Sequence, residues 1–171
     1  REEMSENEFR QEFLCDFNAA NDNSLISVDL VREAIGRHYR ETEYKAAPLI
    51  FGVDVARFGN DSTVIFKRQG LVSFDPIIIK KFDSVQVADL VAMHIDKDKP
   101  DAVFIDAGQG QGVIDHLRRS LGYKVTEVPF GASAIDSDHY ANRRIEMWDK
   151  MAQWLREGGA IPPNTLLQAD L

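Results

Sequence analysis

The sequence feature that most constrains the fold is a short apolar run, Leu49–Val55, which contains a single carboxylate at Asp54. An apolar run of this length without polar alternation is typical of a β-strand that is buried on both faces. Burial of an unpaired carboxylate costs on the order of several kcal/mol. Some other group must therefore compensate for the charge of Asp54.

The residues that follow predict an α/β domain. β-rich stretches and helical periodicities alternate after the first strand, and Met147, Met151 and Trp154 mark the predicted buried side of the last helix. The pattern predicts a mixed five-stranded sheet flanked by helices, with a three-strand antiparallel meander and two parallel strands reached by crossover helices. The further strands are expected at Thr63–Lys67, at a stretch reaching Ile77–Ile79, at Ala102–Asp106 and at Lys124–Pro129.

The first 47 residues have a different pattern, that of a helical lead-in. Phe9, Phe13 and Phe17 follow a capping box at i+4 spacing, which predicts an amphipathic helix with an aromatic stripe. A polar run breaks this pattern, and Ser27 is placed to cap a second helix that ends near Tyr39. We therefore expect a lead-in over residues 1–47 and an α/β domain over residues 48–171.

Composition excludes several classes of protein. The 171 residues suit one main domain, and no apolar run approaches the ~20 residues of a membrane span. The single cysteine, Cys15, excludes an internal disulfide, and the net charge of -8 excludes a generally basic nucleic-acid-binding surface. The lack of paired cysteines fits a reducing compartment. Because the chain opens with Arg1 and lacks a signal-peptide pattern, we expect a piece of a longer protein.

A second strand-borne carboxylate, Asp106, ends the fourth predicted strand. In the predicted topology this strand returns beside the first, so Asp54 and Asp106 converge at one edge of the sheet. Carboxylate oxygens suit Mg²⁺ or Mn²⁺, and pairs of such ions act in phosphodiester cleavage. Asp61 lies across the hairpin near the same edge, as a further ligand or as part of an Asx-turn. The carboxylates thus predict a metal-dependent nuclease.

The glycines after Asp106 leave an alternative open. Gly108, Gly110 and Gly112 resemble a phosphate-binding loop, so a nucleotide- or nucleoside-binding enzyme, actin-like or methyltransferase-like, could use them. The methyltransferase-like version gives Asp54 no role, and the actin-like version needs a second lobe. A turn that brings a helix N-terminus close to the metal site is the interpretation we favour for these glycines.

The loop before the last predicted helix has groups that suit a phosphate. His139 precedes Asn142, Arg143 and Arg144, so this loop could reach over a DNA backbone. The two arginines could equally form a solvated face or pair with Glu146. We list these four residues as a weak DNA-binding set.

Several segments together resemble the nuclease domain of tailed-phage terminase large subunits. The resemblance covers nearly the whole chain: GVDVARFGNDST at 52–63 is similar to the first-strand motif and FIDAGQGQGV at 104–113 to the fourth-strand motif. NRRIEMW at 142–148 and GGAIP at 158–162 match the last-helix region. MSENEFRQEFLC at 4–15 resembles the linker that joins the packaging ATPase to the nuclease.

The resemblance implies an RNase H-like endonuclease that cuts concatemeric double-stranded viral DNA with two Mg²⁺ or Mn²⁺ ions. Asp54 and Asp106 would be catalytic metal ligands, and Asp61 an accessory one. Implied partners are DNA, the ATPase domain of the full-length chain, the terminase small subunit and the portal of the procapsid. The implied location is the cytoplasm of the bacterial host, without a membrane.

The sequence departs from this family pattern in two places. The third acidic ligand of the family belongs to a Ser-Pro-Asp-like segment, which would follow Pro163, and the chain ends at Leu171. The Walker A motif of the packaging motor is also absent from these 171 residues. We therefore expect a nuclease domain that lacks one ligand and cuts DNA weakly or not at all.

Overall fold

A computed structural model describes residues 25–56, 62–165 and 167 of the chain. Its helices are α1 Val28–Gly36, α2 Glu41–Tyr44, α3 Ser84–Asp98, α4 Ala107–Asp115 and α5 Arg143–Arg156, and a π-helical turn, His116–Ser120, continues α4. Its strands are β1 Leu49–Asp54, β2 Thr63–Gln69, β3 Val72–Ser73, β4 Ile77–Ile79, β5 Ala102–Asp106 and β6 Thr126–Val128.

The strands form one mixed six-stranded sheet in the order β3-β2-β1-β5-β6, and β4 also pairs with β2. β1 and β2 are antiparallel, whereas β1 and β5, and β5 and β6, are parallel. The predicted fold class of a meander joined to two parallel strands is confirmed. Its third strand is divided into β3 and β4, because Pro76 just before β4 cannot donate a ladder hydrogen bond.

One face of the sheet has the main core. Inward residues of β1 and β5, among them Phe51 and Ile105, are inaccessible to solvent and pack under α3 and α4. The alternate residues, including Gly52 and Phe104, lie on the opposite face and are open to solvent. The strands are therefore buried on one face only, and the prediction that β1 is buried on both faces is wrong.

Helices α1 and α5 pack on each other in a second core. The Ser27 side chain accepts a hydrogen bond from the Leu30 N–H, which confirms the predicted N-cap of α1. The phenol of Tyr39 donates to the Gly158 carbonyl. The buried residues of this core are Ile26, Val31, Ala34, Ala152, Leu155 and Ile161.

The boundary at residue 47 stays a prediction, and the aromatic stripe of Phe9, Phe13 and Phe17 lies outside the described residues.

The glycine-rich segment is helical, which corrects its prediction as a turn. Asp106 is the N-cap of α4, so Gly108, Gly110 and Gly112 all lie inside the helix. A methyl group on Gly110 would come within 2.9 Å of Ile105 Cγ2 and 3.3 Å of Val55 Cγ2. The absence of a side chain at Gly110 therefore lets α4 pack closely against β1 and β5.

Glu146 is a buried carboxylate that ties α5 to the preceding loop. Only 1% of the residue is exposed. It accepts hydrogen bonds from the Ile135 N–H at 2.7 Å and from Lys150 Nζ at 2.6 Å, and Arg143 Nε lies 3.8 Å away. Lys150 and then the Ile135 N–H hold the pKa of Glu146 below its ordinary value. The sequence pattern indicates Glu146 as a partner for the arginines and as one candidate for a third metal ligand, but not its burial.

The helical packing of Gly110 predicts the effect of a single methyl group. Gly110→Ala should lower the free energy of unfolding by about 1–3 kcal/mol, because the new Cβ overpacks against Ile105 and Val55. Gly36→Ala is the matched control, since no atom lies within 4 Å of a Cβ at that helical glycine. The control should be neutral or should stabilise by up to about 1 kcal/mol. Urea denaturation that shows equal effects for the two variants would contradict this packing.

The buried Glu146 predicts a pH-dependent loss of stability. Glu146→Gln should lower the melting temperature at neutral pH, because the ion pair with Lys150 is lost. A lowered native pKa stabilises the fold above the ordinary pKa of glutamate, and this contribution disappears as the pH falls through the lowered pKa. The difference between wild type and variant should therefore shrink in acid. Glu33→Gln, which breaks a solvent-exposed pair with Arg37, should have little effect at any pH.

Candidate metal centre

Parallel pairing of β1 with β5 brings the two strand-borne carboxylates together. Val53 pairs with Ile105 in this register, so Asp54 and Asp106 are each one residue beyond the same pair. Both residues line one groove of about 200 Å³ on the open face of the sheet. In the structure, Asp54 and Asp106 therefore converge at one edge of the sheet, as the topology predicted.

Asp106 has a structural contact as well as a place in the groove. Its Oδ1 accepts a hydrogen bond from the Gly108 N–H at 3.1 Å, which caps α4. Because this contact comes from the backbone of the first helical turn, it orients the carboxylate relative to β5. The strand and the helix together thus determine where Asp106 lies in the groove.

Electrostatic repulsion affects Asp54. Partial burial of the carboxylate in the groove is the larger cause that raises the pKa of Asp54, and the nearby charge of Asp106 is the second. Within the part of the chain that the structure describes, neither carboxylate has an ion-pair partner. A bound cation would relieve both effects, since a neighbouring positive charge favours the ionised form of a carboxyl group.

The donor set fits a hard divalent cation in part. Two carboxylates offer the oxygen ligands that Mg²⁺ and Mn²⁺ prefer, and such ions commonly keep several waters. The described residues contain no group of three or more acidic, histidine or cysteine side chains that could hold a metal. Asp61, the proposed accessory ligand, lies outside these residues. Asp54 and Asp106 therefore form the described part of a candidate metal centre.

The loop between β6 and α5 starts at the same edge of the sheet. β6 runs parallel to β5, and Asp106 pairs with Val128. Phe130, two residues further along the chain, lines the groove that holds the carboxylates. The loop that contains His139 and Asn142, and that leads to Arg143 and Arg144 in the first turn of α5, therefore leaves the sheet beside the candidate metal centre.

Two of the four weak DNA-binding candidates are engaged in local structure. The Asn142 side chain caps α5 by accepting a hydrogen bond from the Ile145 N–H. The Arg143 guanidinium is held at 3.4 Å from the Ser133 carbonyl and lies near Glu146. These contacts stabilise the junction between the loop and α5, which the sequence spacing alone did not reveal.

The other two candidates are more accessible. The Arg144 guanidinium lies over the Phe130 ring, 5.9 Å from its centroid. His139 is exposed, and its Nδ1 lies 2.8 Å from an oxygen of Asp136. This histidine lowers the pKa of Asp136, mainly through the side-chain hydrogen bond. Arg144 and His139 are thus available for contact with a ligand, whereas the role of all four residues in DNA binding stays a prediction.

Comparison with solved structures gives the same fold for phage nuclease domains. The nuclease domain of the large terminase subunit gp2 of bacterial virus Sf6 is 20% identical, with a TM-score of 0.65, over 78% of this chain and 65% of that domain. A mutant of the same nuclease domain, solved with manganese, is 19% identical, with a TM-score of 0.62, over 78% of this chain and 64% of that chain.

A third similar structure comes from another phage. The large terminase nuclease of thermophilic phage G20c is 18% identical, with a TM-score of 0.61, over 85% of this chain and 78% of that chain. No family model and no curated protein matches the sequence. The chain thus spans about two thirds of the length of the Sf6 domain. It has the mixed-sheet, RNase H-like fold of the nuclease domains of phage large terminase subunits.

Proposed function

We propose that this chain is the nuclease domain of a phage terminase large subunit, and that it takes part in metal-dependent cleavage of concatemeric double-stranded DNA during genome packaging. The observation that carries the proposal is the Asp54–Asp106 pair at adjacent carboxyl ends of β1 and β5. The similar Sf6 domain, solved with manganese and with calcium, supports a divalent cation.

In this proposal, the residues of the protein hold and orient the metal ions and the DNA. A bound divalent ion supplies activation of water and stabilisation of the leaving oxygen in phosphodiester hydrolysis. Asp54 and Asp106 provide the carboxylate ligands, and Asp61 adds an accessory one. His139 in the adjacent loop and Arg144 in the first turn of α5 contact DNA phosphates. A complete two-ion site requires a third acid, which the family resemblance assigns to a segment after Pro163.

The overall charge bears on the partners of this domain. A net charge of -8 provides little general attraction for DNA, so positioning falls to partners of the domain. We propose the terminase ATPase domain, the small subunit and the portal as these partners, in the cytoplasm of the bacterial host. No helix in the described part of the chain is both long and apolar enough to cross a membrane.

The nucleotide-binding alternative loses the loop on which it depended. Gly108 and Gly110 lie inside α4, and the Gly108 N–H already donates to Asp106. Gly110 packs against Ile105 and Val55, so its backbone lies against the sheet. We therefore favour the metal-dependent reaction over an enzyme that cradles a nucleotide in this segment.

Metal-dependent stability tests the proposed ligands. Mn²⁺ at about 100 times its Kd should raise the free energy of unfolding by about 2.7 kcal/mol. Asp54→Asn and Asp106→Asn should abolish this rise; asparagine is also a good N-cap, so Asp106→Asn leaves α4 capped. Metal affinity should fall as the pH drops through the raised pKa of Asp54, because the ion competes with the proton.

Two controls make the stability experiment specific. Asp29→Asn, on an exposed pair of α1, should keep the full response to Mn²⁺. In EDTA, Asp54→Asn should not destabilise the fold at neutral pH, since the raised native pKa shows that the charge is unfavourable there. Stabilisation by ATP or S-adenosylmethionine without metal, with no response to Mn²⁺, would contradict the nuclease proposal and support the alternative.

Cleavage of supercoiled plasmid in Mn²⁺ tests the reaction itself. We expect the 171-residue chain to cut feebly, and a longer chain that includes the next acid-bearing segment to cut efficiently. Asp106→Asn in the longer chain should remove the activity. Full activity of the 171-residue chain would place the third ligand inside it. Of the four acids in the last helix and the preceding loop, Glu146, Asp149 and Asp136 are engaged by Lys150, Tyr140 and His139. Asp138 is then the first candidate.

A further inference from the structure

A second groove, of about 430 Å³, is open and apolar and lies near the candidate metal centre, between the sheet and α5. Among the described residues that line it, Arg144 is the charged one. Trp148 in this lining is 41% exposed, although tryptophan is among the most apolar side chains. The apolar lining residues are Phe66, Phe130, Met147, Trp148, Met151 and Leu167. Exposed apolar side chains grouped in this way offer a surface on which another apolar segment can pack.

We propose that the aromatic stripe of residues 9–17 docks in this groove as an amphipathic helix of the same chain. Phe9, Phe13 and Phe17 lie at i, i+4 and i+8, within an arc of about 80° on a helix with 3.6 residues per turn. This pattern is that of a helix that lays an apolar stripe into a hydrophobic groove. The inference does not depend on the nuclease proposal.

The connection to the described chain allows this docking. Ile26 is buried against Ala152 and Leu155, and Arg156 donates a hydrogen bond to the Leu25 carbonyl. The chain therefore enters the structure at the C-terminal end of α5. Trp148 lies eight residues earlier on that helix, about 12 Å along its axis. The seven residues 18–24 can span about 23 Å when extended, so the stripe can reach the groove.

Charge also matches between the segment and the groove. Glu12 and Asp16 are one helical turn apart and flank one side of the phenylalanine stripe. Arg144 is exposed on the lining of the groove, with its guanidinium over Phe130. This charge match favours docking in the orientation that places the acidic flank of the stripe next to Arg144, rather than an orientation that places a basic flank there.

The docked helix would lie beside the candidate metal centre. Phe66, Phe130 and Met147 line both the apolar groove and the groove that holds Asp54 and Asp106. The docked segment would therefore cover apolar surface next to the carboxylates.

The sequence provides natural probes for an experiment on the whole chain. Cys15 is the single cysteine, and on a helix it lies about 160° from the centre of the phenylalanine stripe, so a nitroxide spin label there leaves the stripe free. The four methionines report distance when their methyl groups carry ¹³C. Met147 and Met151 line the groove, Met93 is exposed on α3 over the opposite sheet face, and Met4 precedes Phe9 by five residues.

Docking predicts selective paramagnetic broadening. Met147 and Met151 signals should broaden strongly, Met4 should broaden as a control for the label, and Met93 should stay sharp. Replacing Phe9, Phe13 and Phe17 with serine should restore sharp Met147 and Met151 signals. Gln11→Ala, on the opposite side of the predicted helix, should leave the broadening unchanged. An unchanged Met93 signal shows that each variant retains its fold.

Three results would overturn the proposal. The first is that Met147 and Met151 remain as sharp as Met93 in the labelled wild type. The second is equal broadening of Met93, which would indicate contact without a preferred site. The third comes from a mixture of spin-labelled chains without ¹³C and ¹³C-methionine chains without a spin label. Broadening in this mixture as strong as in chains that have both labels would show that the occupant belongs to a second copy.

Discussion

The parallel pairing of β1 with β5 is the interaction on which the candidate site depends. It places Asp54 and Asp106 side by side, whereas each would otherwise be a single carboxylate at the end of a strand. Burial in the groove is the larger cause of the raised pKa of Asp54, and repulsion by the charge of Asp106 is the second. A bound cation would relieve this unfavourable arrangement directly.

Much of this architecture could be predicted from short-range sequence patterns. The apolar run of β1, the cap at Ser27 and the strand ending in Asp106 each have a local signal that the structure confirms. The convergence of the carboxylates followed from topology, since the crossover through α3 returns β5 beside and parallel to β1, and parallel strands end at the same sheet edge. The pair Asp54 and Asp106 was therefore predictable without any knowledge of side-chain contacts.

Other features depend on contacts that sequence patterns do not contain. Glycines usually mark turns, but Gly110 lies in a helix because tertiary packing against Ile105 overrides its low helix propensity. Met147 was expected on the buried side of α5, yet it is 37% exposed, and Leu155 and the charged Glu146 are buried instead. No sequence pattern indicates that the Ile135 N–H, eleven residues away, donates a hydrogen bond to Glu146.

The central claim is that Asp54 and Asp106 share a divalent cation. Anomalous diffraction from crystals soaked in Mn²⁺ tests it most directly, because it locates the ion without reference to activity. The account predicts a manganese peak in the groove between β1 and β5, bound by both carboxylates, and its loss in Asp54→Asn. A structure in which manganese binds elsewhere, or in which the two carboxylates diverge and bind no ion, would contradict the account.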